Sequence, residues 1–179
     1  MTMKSYPEDT SAAAVILSNY GEAYVSINAV APSMNFERHV RIKILKSEGV
    51  DWANASVLLY HEGADEEKLT NLKAVTYNLE NGKIVESKME KTAIFRDKFN
   101  RYFNRVKFTL PNVKVGSVLE YSYTIMSDFV TNFPDLKFQY DIPVRHSEFW
   151  AIIPDFFTYE KYMAGYVPVT DYTVKPVPA

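Results

Sequence analysis

Residues 107–125 read KFTLPNVKVGSVLEYSYTI, two strand-like runs joined by a turn, with a bulky residue at every second position. From Leu119 onward, Leu119, Tyr121, Tyr123 and Ile125 fall on one side and Glu120, Ser122 and Thr124 on the other. That is the period of a strand that buries one face. No recognisable chemistry lies in the stretch, so what it predicts is architecture: a mostly β protein whose activity the residues alone do not declare.

Working outward, the same alternation recurs. After Pro32, residues 36–45 place Phe36, Arg38, Val40, Ile42 and Ile44 on one face and Glu37, His39, Arg41 and Lys43 on the other, a strand with one wetted face. Earlier, residues 15–17 and the alternating set Ala23, Val25, Ile27 and Ala29 bracket a turn-prone Ser18-Asn19-Tyr20-Gly21 and predict a first pair of strands. Residues 51–54 suggest one helical turn, residues 55–60 a strand, and residues 61–68 an acidic, solvated loop. The strongest hairpin signal is residues 72–80, Asn81-Gly82, then residues 83–89. Asn-Gly supplies two positive φ values, and the register it sets pairs Glu80 with Lys83 as ions and Leu79 with Ile84 as apolar neighbours. Residues 90–99 have some helical spacing and predict one or two turns; residues 101–110, 136–142, 147–153 and 156–163 predict further strands. About ten short strands with hardly any helix point to an all-β, antiparallel β-sandwich, with an immunoglobulin-like arrangement or a closed barrel as variants.

Composition bounds the rest. A chain of 179 residues amounts to one domain, 1–179, and buries roughly 70% of its unfolded surface, enough for a core without staples. With 20 basic and 22 acidic residues it has no electrostatic footprint for nucleic acid and no polybasic cluster for an anionic membrane. Cys is absent, which removes disulfides, thiolate metal ligands and a thiol nucleophile. There is neither a run of 18 apolar residues nor an export signal at the start, and a polar beginning with a Pro-rich end suggests a segment of a longer protein.

Four strings carry a resemblance: residues 37–45 (ERHVRIKIL), 76–89 (TYNLENGKIVESKM), 107–125 and 138–144 (FQYDIPV). In this order and spacing they resemble a bacterial family, chiefly of Bacteroidetes: the domain of unknown function that precedes a transglutaminase-like domain in exported multidomain proteins. The resemblance covers about residues 6–166, and departs from the family at Leu136-Lys137 and at Phe103. It implies a β-sandwich module, an exported, periplasmic or cell-envelope parent, and a papain-like thiol domain downstream that holds the catalytic Cys, His and Asp. The expected role is therefore a non-catalytic module that positions or regulates that domain, with no cofactor.

Candidate chemistry within the chain is thin. His39 sits on a wetted face, and His61, Glu62, Asp65, Glu66 and Glu67 offer oxygens for calcium without the ordered spacing of a calcium loop. Asp141, His146 and Glu148 form a nominal acid–base set, but Ser147 adjoins His146 and in a strand points the other way, so the two cannot act as a dyad. The aromatic residues Trp52, Tyr60, Tyr102, Phe103, Tyr140 and Trp150 remain. Most aromatic rings fill the core of a β domain; those left exposed, Phe103 and Trp150 first, are the candidates for a partner interface or for binding an envelope glycan or peptide.

Overall fold

The structure, a computed structural model, describes residues 2–27, 31–165 and 167–175. The strands are β1 (Ala14–Ile27), β2 (Pro32–Ile44), β3 (Asn54–Glu62), β4 (Asp65–Glu66), β5 (Lys68–Glu80), β6 (Lys83–Lys88), β7 (Ile94–Lys98), β8 (Phe103–Thr109), β9 (Val118–Ser127) and β10 (Ser147–Ile152). They form a six-stranded sheet in the order β10-β1-β2-β9-β5-β6 and a four-stranded sheet in the order β4-β3-β8-β7. The fold is thus an all-β sandwich of two sheets. Among the described residues no helix is long and apolar enough to cross a membrane.

Alternation places the core. The inward residues Val40, Ile42 and Ile44 of β2 and Leu119 and Tyr123 of β9 meet Val57 and Leu59 of β3 and Val106 and Phe108 of β8, all buried in one cluster. Such side chains contribute ~1.5–3 kcal/mol each when fully removed from water. The two strand-like runs of the quoted stretch are β8 and β9, joined by a turn as expected. β8 and β9 belong to different sheets, and the turn between them carries the chain across the sandwich.

Several expectations are corrected. The pair of strands predicted around residues 18–21 is one continuous strand, β1, with a bulge between Ile16 and Ser18. That extra residue shifts the parity, so Ala14 and Ile16 face inward before it and Asn19 and Ala23 after it. The predicted end of that run, at Ala29, lies outside the described residues. Lys43 is not wetted: it is 1% exposed, and its ammonium donates to the Gly116 carbonyl. The helical turns expected over residues 90–99 reduce to a 3-10 turn at Lys91–Ala93 followed by β7. The acidic loop over residues 61–68 is a small hairpin of β3 and β4 that turns at Gly63. The expected turn near Trp52 is a 3-10 segment, Ser47–Ala53.

The Asn-Gly hairpin has the expected register and positive φ at both turn residues, but Glu80 pairs with Lys114 at 2.6 Å rather than with Lys83. β10 runs parallel to β1, against the antiparallel expectation. Residues 136–142 and 156–163 are not strands. The four-stranded sheet is narrower than its partner, and the first of these segments fills the difference. Leu136 is buried with Ala23, Met34 and Phe36, and Phe133, Phe138 and Phe149 pack around them. Gly21 permits this close approach, since a Cβ there would stand 3.0 Å from Leu136 Cδ1 and 3.2 Å from Phe149 and Phe36.

Candidate functional site

The aromatic candidates separate into groups. Tyr60 meets Phe103 edge-on at 5.6 Å and Phe129 at 4.9 Å between ring centres. Phe103, expected to be exposed, is thereby half-buried. Trp52 packs edge-on against Tyr140 at 6.2 Å, on the margin of the main core. Tyr102 is exposed just before β8 with the Arg101 guanidinium 4.3 Å above its ring. Trp150 is 45% exposed on β10, and its indole N–H donates to Glu148 Oε1 at 2.5 Å.

The polar candidates are mostly engaged. His39 Nε2 lies 3.3 Å from Glu120, which also pairs with Arg41. In the acidic hairpin, Glu66 accepts from Arg96 and Asn104, and Glu67 accepts the Tyr60 backbone N–H at 2.8 Å. His61 has its Nε2 buried with no hydrogen-bond partner. Among the described residues no three His, Asp or Glu side chains are grouped closely enough to hold a metal. His146 Nε2 lies 3.1 Å from Glu148, and that bond, with the Trp150 indole, holds the Glu148 carboxyl below its ordinary value. Ser147 points the other way, accepting from Asn19 Nδ2 at 2.7 Å. Asp141 is exposed.

Sequence reasoning missed two arrangements. The first is internal: Arg38, on the core face of β2, donates to Asn19 Oδ1 at 2.7 Å and to the Tyr140 hydroxyl. Burial works against its charge, but the oxygens of Tyr123, Tyr140 and Tyr121 outweigh burial and raise its pKa. Burial likewise pushes the Tyr121 and Tyr123 hydroxyls up, so they stay neutral beside it. The bonded partners of this enclosed guanidinium are thus neutral oxygens. The signal was available in Arg38, which shares a face with Phe36 and Val40.

The second lies on the outer face of the six-stranded sheet. Strand pairing puts Tyr20, His39, Ser122 and Lys73 in one transverse row, with Glu22, Glu37 and Thr124 in the next. Of these rows, all but Glu22 line an open groove of about 520 Å³ with Asn71 at its side. A bulge in β5 between Thr70 and Lys73 shapes it, and Asn71 takes φ 55° there. Tyr24 donates to Glu37 at 3.2 Å, and Tyr20 to Glu22. Burial first, then Glu22, pushes the Tyr20 hydroxyl up to about 12, so it acts as a neutral donor. Reading residues 18–21 as a turn removed Tyr20 from its strand and hid this face.

The fold is shared with a crystal structure of a protein described as a "putative protease" from Parabacteroides distasonis, with a TM-score of 0.62 at 12% identity. The match covers 80% of this chain and 29% of that one, so this chain spans under a third of that protein's length. No curated protein matches the chain. A family profile, described as a domain of unknown function with a solved structure, DUF3857, matches residues 31–174, most of the length, and the chain belongs to that family.

Proposed function

We propose that the chain is a non-catalytic module that packs against another domain of a longer, exported protein, with a transglutaminase-like thiol domain downstream as its partner. The observation that carries this reading is the surface of residues 153–175. Its described residues form no strand, yet they present Phe156, Tyr162, Met163, Val167, Tyr172 and Val174 at 51–89% exposure. So much apolar surface on one stretch supports a contact with another body. The long chain of the structural neighbour and the lack of any Cys nucleophile in the sequence support the reading.

The test takes the parent protein in two purified pieces, this chain and the remainder, and measures their association by calorimetry. Binding is expected, and Phe156→Ser with Val167→Ser is expected to weaken it at least tenfold, about 1.4 kcal/mol. Absence of binding by the unmodified pieces overturns the reading.

A further inference from the structure

The groove on the outer face of the six-stranded sheet lies on β1, β2, β9 and β5, apart from the segment proposed to meet a partner domain. Its lining is polar: Glu37, His39, Asn71, Lys73, Ser122 and Thr124, with the Tyr20 ring among them. Among the described residues the Ser122 hydroxyl and the Lys73 ammonium, on adjacent strands of one row, have no protein partner. Glu37 uses Oε1 for Tyr24, and among the described residues Oε2 takes no bond. Trp150 stands beside Glu22 at the β10 end of the same face, its indole held by Glu148.

Three features limit what fits. Cationic residues (Lys73, Arg38) and anionic ones (Glu37, with Glu22 in the adjoining row) border the groove, so neither sign prevails, which suits neither a polyanion nor a polycation. The floor consists of strands already paired on both sides, so an extended peptide finds no backbone N–H or C=O to add to. The open side chains mix donors (Lys73), acceptors (Glu37) and a group that is both (Ser122). A ligand whose every polar group both donates and accepts, and whose ring carries an apolar C–H face for Tyr20 and Trp150, meets all three conditions. At ~4.8 Å between neighbouring strands, the five strands from Trp150 on β10 to Lys73 on β5 span roughly 19 Å, the reach of a short oligosaccharide rather than of one sugar. The β5 bulge supports this, because bulges re-aim side chains beside binding sites, and the positive φ of Asn71 is a conformation held at a cost.

We infer that this groove binds a neutral polysaccharide chain, with Lys73, Ser122 and Glu37 bonding its hydroxyls and Tyr20 and Trp150 stacking on its rings. The inference stands independently of the docking role of residues 153–175.

Affinity electrophoresis of the whole chain through gels containing hydroxyethylcellulose, xyloglucan, galactomannan or dextran tests it. Polygalacturonate and glycol chitosan serve as charged comparisons, and a pool of tryptic peptides is titrated in parallel. Retardation by at least one neutral polymer is expected, reduced fivefold or more in Lys73→Ala and in Trp150→Ala, both exposed positions whose melting temperatures stay at the parent value. Phe95→Ala, on the other sheet, should be retarded as strongly as the parent. The proposal is overturned by retardation in the charged polymers alone, by none at all, by equal retardation of the groove variants, or by saturable binding of peptides in place of sugars.

Discussion

Gly21 and Gly49 look alike in the sequence and differ in what surrounds them. At Gly21 the atoms in the way are side-chain ends, Leu136 Cδ1 at 3.0 Å and two phenyl rings at 3.2 Å. Those neighbours shift by a few tenths of an ångström, so Gly21→Ala should cost about 1–3 kcal/mol, the usual range for one extra methyl in a packed site. At Gly49 a Cβ would collide with the Ala13 backbone carbonyl, which is fixed in place because it accepts from both Leu45 and Lys46. Gly49→Ala should therefore cost more than Gly21→Ala, and urea denaturation of the pair reads the order directly. An equal loss, or the reverse order, would show that the backbone near Ala13 gives way more readily than its hydrogen bonds suggest.

Among the elements, the β7–β8 edge depends on charge. Asp97 on β7 accepts two bonds from Arg105, at 2.7 and 3.0 Å, and one from Lys107 at 2.7 Å, both on β8. The Arg105 bonds first, then Lys107, hold its carboxyl well below the ordinary carboxylate value. A depressed folded value means that the unfolded chain takes up the proton first. The stabilisation is therefore complete above the ordinary value near pH 4 and fades as pH falls towards the lowered one. The melting-temperature difference between parent and Asp97→Asn should accordingly be present at pH 7 and shrink below about pH 4. Because Asp97 is open to solvent, added salt should reduce it too. A difference that persists unchanged to pH 2 would mean that packing, not charge, sets it. At this level the sequence was readable where alternation ran unbroken, as in β2, β8 and β9, and where turn chemistry was strong, as at Asn81-Gly82. It misled where one residue changed parity. The bulge near Leu17 turned a single strand into an apparent pair and hid Tyr20, and the β5 bulge hid Asn71 and Lys73 as groove residues. Lys43 reads as wetted by period, but Val118 beside it and the Gly116 carbonyl enclose it, contacts that only tertiary structure supplies.

For the molecule as a whole, the unequal widths of the two sheets decide where it is weakest. Part of the wide sheet's inner face is covered by irregular chain, so its seal there rests on side chains such as Leu136 rather than on a hydrogen-bonded ladder. Leu136→Ala should cost about 2–5 kcal/mol, and limited proteolysis should then cut within residues 129–146 before any strand. Cleavage that begins instead in β6 or β7 would place the weak point at a sheet edge. The parallel pairing of β10 has a temporal consequence. Asn19 and Ser147, 128 residues apart, are neighbours across it. During synthesis at ~5–20 residues per second, the flank of β1 stays bare for on the order of ten seconds before its last neighbour emerges. A nascent chain stalled before Ser147 therefore offers a long unsealed ladder to any other such chain, and translation pauses in that window favour aggregates over monomers.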